Sequence, residues 1–139
     1  MSVRVAPAAG ATRTMMAFLM AAYDEEEVNG EPRTVLRLHP RLAPYQVAVL
    51  PLSKKDTLTP LAKQIFARLA PHMSVDYDET QAIGRRYRRQ DEVGTPLCIT
   101  VDFESLEDGA VTVRERDSMG QERVAIDNLL EHLRDRVLT

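Results

Sequence analysis

Hydrophobic residues follow two different periods along this chain, and the periods divide it into strands and helices. The continuous apolar run Gln46–Leu52, bounded by prolines, is typical of a buried strand in an α/β sheet. Thr59, as a cap, and Pro60, at the first helical position, then predict a helix that ends at Pro71. The buried stripe of this helix has helical spacing and comprises Ala62, Ile65, Phe66 and Leu69.

The second half of the chain continues this alternation of strands and helices. The predicted elements are a strand at Ser74–Tyr77, a helix at Ile83–Val93, strands at Leu97–Phe103, Val111–Asp117 and Glu122–Ile126, and a final helix that buries Ile126, Leu129, Leu130, Leu133 and Val137. Glu107–Gly109 is predicted to be a hairpin turn. The order from residue 46 is therefore β-α-β-α-β-β-β-α. Because βαβ crossovers join parallel strands, this order predicts a mixed five-stranded sheet with helices on both faces.

The first forty residues follow a different pattern. Val3–Val5 alternates as a short strand that breaks at Pro7 and Gly10, and Thr12–Tyr23 has the apolar spacing of a helix. This helix runs into four consecutive acids, Asp24–Glu27, which oppose the helix dipole at its C-terminus. An Asn29–Gly30 turn, a strand at Arg33–Leu38 and a proline-containing linker at residues 39–44 follow. We therefore place a boundary between an N-terminal extension, residues 1–40, and the main domain, residues 41–139.

Four arginines lie within five positions of the predicted helix at Ile83–Val93. Thr80 can cap this helix and Gly94 can end it. Ile83, Tyr87 and Gln90 form one narrow face that can be buried. Arg85 and Arg89 share another face, while Arg88 can pair with Asp91 or Glu92. A solvated helix face is the ordinary interpretation, but arginines this close repel one another unless an anionic partner is present.

Composition and charge limit the classes of function. The chain has 139 residues, 44% apolar and 28% charged, which suits one globular domain. Its net charge of −3 argues against indiscriminate coating of nucleic acid. The arginine helix is locally basic, however, since four arginines and two acids give it +2 and leave about −5 on the remainder.

The sequence contains no pattern of residues that indicates catalysis or metal binding. The single cysteine, Cys98, lies in an apolar strand and predicts a buried, inert thiol. The histidines, His39, His72 and His132, lack the spacing of metal ligands, and no glycine-rich phosphate loop occurs. No apolar run has the length of a membrane span, and no signal peptide opens the chain. We expect a cytoplasmic protein without cofactor or metal.

Three ungapped strings carry a family resemblance: IGRRYRRQDEVGTP from Ile83, LCITVDF from Leu97 and VTVRERD from Val111. They resemble the C-terminal anticodon-binding domain of bacterial-type glycyl-tRNA synthetase, a class II enzyme. The resemblance is clear from about Arg33 onward. It implies a three-layer α/β anticodon-binding fold and, as partner, tRNA with a glycine anticodon.

The N-terminal segment around Pro7–Arg13 is similar to the last catalytic motif of that family. The family has a glutamate before the proline and a serine after it, which hold glycine, and these positions are Ala6 and Ala8 here. Arg13 matches the family's ATP-phosphate arginine and more simply begins a helix. The resemblance therefore implies no glycine activation by this chain alone.

The resemblance and the charge pattern together suggest nucleic-acid-binding residues. The phosphate candidates are basic residues after the first main strand and on the arginine helix: Lys54, Lys55, Arg85, Arg88 and Arg89. The base-reading candidates lie at strand positions: Asp102, Phe103, Glu104, Arg114 and Arg116. For Arg114 and Arg116, cross-strand ion pairs are an equally supported interpretation.

Two functions remain open at this point: a tRNA-binding module, or a protein-interaction domain that keeps the fold without RNA binding. The apolar face of the helix at Thr12–Tyr23 predicts either packing back on the domain or a homodimer.

Overall fold

A computed structural model of the chain describes residues 5–53, 56–80 and 82–137, with side chains from residue 13 onward. In chain order its elements are α1 (Val5–Ala22), β1 (Tyr23–Val28), β2 (Glu31–Leu36), β3 (Val47–Pro51), α2 (Thr59–Leu69), β4 (Val75–Tyr77), α3 (Ile83–Val93), β5 (Leu97–Val101), α4 (Phe103–Asp108), β6 (Ala110–Glu115), β7 (Gln121–Ala125) and α5 (Ile126–Val137).

The main sheet has the strand order β4-β3-β5-β6-β7. β3 pairs in parallel with both β4 and β5, and β6 and β7 extend the sheet in antiparallel fashion. All five residues of β3 are buried, because it has neighbours on both sides and helices on both faces. The predicted mixed five-stranded sheet is confirmed.

Helices cover the two faces of this sheet and complete the three-layer α/β fold. On one face α2 and α5 pack on β3, β5 and β6, with Ile65, Leu69, Leu129 and Leu133 in the core. On the other face Ile83 and Tyr87 of α3 pack against Ala48, Leu50 and Cys98. Cys98 is 1% exposed, so its predicted burial is confirmed. Burial raises the pKa of its thiol to about 12, which is consistent with an unreactive cysteine.

The first helix is longer than the sequence pattern predicts. α1 begins at Val5 and contains both Pro7 and Gly10, so the predicted break at these residues is wrong. Pro7 is the third residue of the helix, where the missing N–H removes no intrahelical hydrogen bond. The predicted strand at Val3–Val5 is contradicted at Val5, and the rest of it lies outside the described residues.

The acidic cluster forms a strand and not a helix end, which corrects the prediction for Asp24–Glu27. β1 pairs in antiparallel register with β2 around Asn29–Gly30, whose φ angles of 53° and 82° belong to a tight hairpin turn. Alternate acids meet arginines: Arg37 Nε donates to Asp24 at 3.0 Å, and Arg33 pairs with Glu26. Two of the four acids, Asp24 and Glu26, are therefore paired with arginines in the folded chain. The order of residues in the sequence does not reveal this pairing.

Four smaller predictions are also wrong. The cap of α2 is Leu58 and that of α3 is Ala82, neither with a side-chain bond, in place of Thr59 and Thr80. The predicted strand through Phe103 stops at Val101, and α4 replaces the predicted turn at Glu107–Gly109. Asp102 ends the strand because its carboxylate accepts from the Ser105 amide, at 3.0 Å, and caps α4.

Within the described ranges, no helix combines the length and apolar character that crossing a membrane requires.

Candidate nucleic-acid interface

Arg86 is the one arginine of α3 that turns into the protein. It is 1% exposed, and its guanidinium donates to the carbonyls of Pro51 at 2.5 Å, Asp78 at 2.9 Å and Leu52 at 3.2 Å. Burial is the main cause that lowers its pKa. Arg86 therefore ties the carboxyl ends of two parallel strands to α3 and is unavailable to a ligand.

The other three arginines of α3 differ in how far the protein engages them. Arg89 pairs with Asp78 and also donates to Thr80 Oγ1 at 3.3 Å. Arg88 lies 3.9 Å from a carboxylate oxygen of Asp91. Arg85 is exposed, and among the described residues it has no ion pair. Arg85 is thus the most available cation for a phosphate.

The arginines of α3 help to lower the pKa of the Asp78 carboxylate. Burial acts to raise its pKa, but hydrogen bonds from Thr80 and the charges of Arg89 and Arg86 outweigh burial and hold the pKa below its ordinary value. Asp78 stays ionised at neutral pH. Arg89 is therefore partly neutralised and is a weaker phosphate candidate than Arg85.

Asp91 lies at the centre of a buried charge network. Its carboxylate accepts from Arg33 Nε at 3.0 Å and from both terminal nitrogens of Arg114, at 3.0 and 3.2 Å. Arg33 also bonds Glu26 and the carbonyl of Arg116. The network joins β2, α3 and β6, so the hairpin of β1 and β2 is attached to the main sheet through charged groups.

Arg114 and Arg116, two base-reading candidates, are buried to the same degree, each 4% exposed. Arg114 holds Asp91 and stacks over the Tyr87 ring at 4.6 Å. Arg116 donates to the Gly94 carbonyl at 2.8 Å and to Asp117 at 2.9 Å. These contacts favour the ion-pair interpretation, while base reading by either residue stays a prediction.

The remaining candidates lie at the end of β5 or outside the described residues. Asp102 caps α4 and pairs with Arg123 at 2.9 Å. Phe103 is 46% exposed, and Glu104 beside it is exposed. Lys54 and Lys55 lie outside the described residues. Arg13 is exposed in the middle of α1, so the interpretation that it begins a helix is wrong.

A cleft of about 400 Å³ opens beside α3 and contains the available arginines. Its lining residues include Glu31, Gly84, Arg85, Arg88, Met119 and Gln121. Tyr87 and Arg114, stacked on each other, also line it. The volume lies within the range of small-ligand sites, about 300–1,000 Å³. The cleft offers guanidinium donors, one carboxylate acceptor and apolar surface, which is a combination that suits an unpaired nucleotide.

The sheet surface that α3 leaves uncovered continues from this cleft. Thr112 lies two residues before Arg114 on β6 and therefore on the same face. Arg123 of β7 donates to Thr112 Oγ1 at 3.1 Å and reaches Asp102. A polar surface thus runs from the cleft toward the exposed ring of Phe103.

Glu31, Met119 and Gln121 were not predicted from the sequence as site residues. Glu31 follows the hairpin turn of the extension, and the other two flank a turn between β6 and β7. Their common feature is proximity in space to α3, and no spacing rule along the chain connects them. Among the described residues, no group of three or more His, Cys, Asp or Glu side chains is arranged to hold a metal ion.

Comparison with known families agrees with this fold. The family model of the anticodon binding domain matches residues 46–136, which span β3 to α5. The chain therefore belongs to the anticodon binding domain family.

More specific similarity comes from full-length relatives. The chain is 60% identical to the glycine–tRNA ligase of Corynebacterium glutamicum over 96% of this chain and 30% of the relative. It is 56% identical to that of Cutibacterium acnes, over 96% of this chain and 29% of the relative. With the enzyme of Clostridium perfringens it shares 57% identity over 90% of this chain and 27% of that protein. The chain spans less than a third of each relative, and the resemblance to glycyl-tRNA synthetases is confirmed.

Proposed function

We propose that this chain binds the anticodon arm of a tRNA, and specifically tRNA with a glycine anticodon. The observation that carries the proposal is the cleft beside α3, in which Arg85 and Arg88 converge on a space of nucleotide size. Membership of the anticodon binding domain family supports the same ligand class. The names of the relatives supply the amino-acid identity of the tRNA.

In this proposal the arginines of α3 contact phosphates and the sheet surface contacts bases. Arg85 is exposed and Arg88 is about one-third exposed, so both can reach a backbone phosphate. Arg89 contributes less because Asp78 already holds it. Phe103 offers an exposed ring on which a base can stack, with Glu104 beside it. Lys54 and Lys55 remain phosphate candidates from the sequence alone.

Salt-titrated binding to a purified tRNA tests the proposal. Arg85→Ala should weaken binding to all tRNAs alike and reduce the slope of log affinity against log salt by about 0.7–0.9, one counterion per phosphate contact. Arg89→Ala should give a smaller reduction. The control is Arg68→Ala, which removes an exposed arginine from α2 on the opposite face of the sheet and should leave the slope unchanged. If the wild-type chain shows no salt-dependent tRNA binding even at low salt, the proposal is wrong.

We further propose that the chain alone does not activate glycine and that it acts in the cytoplasm, where translation occurs. The positions that hold glycine in the resembling motif are Ala6 and Ala8, whose side chains cannot accept a hydrogen bond from an ammonium group. The chain spans under a third of the length of the relatives that are named as ligases. A glycine-dependent exchange of pyrophosphate into ATP by the pure chain would contradict this.

A second candidate function, protein interaction, is favoured by α1. Met15, Phe18 and Met20 are 62%, 50% and 73% exposed, so the helix does not pack its apolar residues fully back on the domain. We propose that the isolated chain forms a homodimer through this helix. This surface lies on α1, whereas the proposed tRNA site lies beside α3, so the two functions are compatible.

A further inference from the structure

Glu31 is an unexpected acid in a cleft otherwise supplied with arginines. It is the first residue of β2 and lies next to the hairpin turn, and its side chain lines the cleft together with Arg85 and Arg88. Among the described residues, the Glu31 carboxylate has no hydrogen bond or ion pair. The hairpin itself is fixed, because Arg33, two residues further, is fully buried and bonded to Asp91. Glu31 is thus a free carboxylate on a firmly held strand.

An acid in a phosphate-binding cleft has an electrostatic cost, since it repels the anion that the arginines attract. Such a cost is offset if the carboxylate accepts a hydrogen bond from the ligand. Among bases, cytosine presents an exocyclic amine as donor next to ring acceptors, and Glu or Asp is its ordinary acceptor partner. Uracil presents a carbonyl oxygen at the position of that amine and would face the carboxylate with a second acceptor.

We propose that Glu31 is a specificity-determining residue that accepts a hydrogen bond from the exocyclic amine of an anticodon cytosine, while Arg85 and Arg88 hold the flanking backbone. The inference rests on the proposed function. Glycine codons begin with two guanines, so the second and third anticodon bases of the proposed tRNA are both cytosine. A cleft with one carboxylate and two guanidiniums complements that base and discriminates against uracil.

Binding of anticodon stem-loop RNAs to the full chain tests this. One RNA carries the glycine anticodon, and two others each have a single cytosine replaced by uracil. For the wild-type chain, we expect one of the two replacements to weaken binding by about 5- to 100-fold, the usual discrimination of a good base contact. Glu31→Gln keeps the shape of the side chain, but its amide can donate as well as accept, so the preference should fall to about 2-fold or less.

The matched control is Glu27→Gln, which removes one exposed acid from the same hairpin on β1, outside the cleft. It should change long-range electrostatics as Glu31→Gln does and leave the cytosine preference intact. A second variant, Gly84→Leu, tests the cleft itself: a Cβ at Gly84 meets nothing within 4 Å, so the longer side chain should fit the fold and obstruct the cleft. Binding of all three RNAs should fall at least 10-fold, while thermal stability should be no lower than that of the wild-type chain, since leucine favours a helix more than glycine does.

The outcomes separate this inference from the proposed function. If the wild-type chain binds the stem-loops and prefers cytosine, but Glu31→Gln keeps the same preference, the role of Glu31 is wrong and tRNA binding stands. Unchanged binding by Gly84→Leu would place the RNA elsewhere on the chain and overturn the inference equally. If the wild-type chain binds none of the RNAs at low salt, both the inference and the proposed function are wrong.

Discussion

Asp91 is the residue on which the buried arginines of this domain converge. One fully buried carboxylate accepts three bonds from Arg33 and Arg114, and Arg88 lies 3.9 Å away. Each guanidinium would be costly to bury alone, and the carboxylate compensates the charge only where the geometry is maintained. The bidentate contact to Arg114 also holds that guanidinium over Tyr87, at the wall of the cleft. Asp91 is therefore a structural residue with an effect on the binding surface.

Replacing this carboxylate should destabilise the whole domain. Asp91→Asn removes the negative charge and retains the shape, but it leaves buried Arg114 without a counter-charge and Arg33 with Glu26 alone. We therefore expect a loss of about 3–5 kcal/mol in the free energy of unfolding. Urea unfolding followed by circular dichroism measures it. Glu92→Gln is the control, because this neighbouring acid is exposed and should cost about 0.5 kcal/mol or less. A loss of under 1 kcal/mol for Asp91→Asn would contradict the role of the network.

Helix α3 contacts the N-terminal hairpin segment through Asp91 and also at its own C-terminal end, where Gly94 lies. Gly94 closes α3 in the left-handed conformation, with φ of 86°, as the sequence predicts. At Gly94 the backbone also passes close to the end of β2 and the residues after it. An added Cβ would lie 2.9 Å from Leu38 Cδ1 and 3.1 Å from the Leu36 carbonyl oxygen. Helix termination and attachment of the segment after β2 therefore depend on the same missing side chain.

A comparison of two glycines separates these two effects. Gly109 ends α4 in the same conformation, with φ of 65°, but an added Cβ there meets nothing within 4 Å. Gly109→Ala should cost about 1–2 kcal/mol, the strain of a left-handed residue with a side chain. Gly94→Ala should cost about 1–3 kcal/mol more, because the methyl group also overlaps the hairpin segment. Equal losses in thermal unfolding would show that the close approach has no energetic weight.

Elements that follow from local patterns were predicted well from the sequence. β3 is a continuous apolar run because both faces are covered, and α5 carries an apolar stripe that spans its length. β1 was not predicted because its acids acquire partners only when Arg33 of β2, and Arg37 directly after β2, lie beside them in the folded chain. α4 was missed because a six-residue helix has too little periodicity to be recognised.

The candidate site was predictable to the extent that its residues lie on one element. Arg85 and Arg88 lie three positions apart on the same helix, so their clustering is visible in the sequence. Glu31 lies about fifty positions earlier, and only the attachment of the hairpin to α3 brings it into the cleft. Arg86 has the same residue type as its neighbours, and burial alone distinguishes it. The division at residue 40 stays a prediction.

At the scale of the whole molecule, apolar surface is distributed unevenly. The main sheet buries its apolar residues between helices, whereas α1 presents Met15, Met16 and Phe18 to solvent. Met15 and Phe18 border an open groove of about 460 Å³ between α1 and residues 38–44. A contiguous apolar surface of this kind is unusual on a monomeric protein and marks a contact site. In a solution of the isolated chain, the protein that can cover this apolar surface is a second copy of the chain.

The isolated chain should therefore dimerise through α1 in a concentration-dependent manner. Two copies related by a twofold axis can bury the same surface reciprocally, which makes a closed dimer the simplest assembly. Phe18→Glu places a charge at the centre of this surface and should shift the chain to monomer in sedimentation equilibrium. Leu106→Glu is the matched control: Leu106 is 48% exposed, close to the 50% of Phe18, but it lies on α4, and its replacement should leave the dimer intact. A wild-type chain that stays monomeric at its highest soluble concentration would show that exposed apolar residues on α1 are insufficient for self-association.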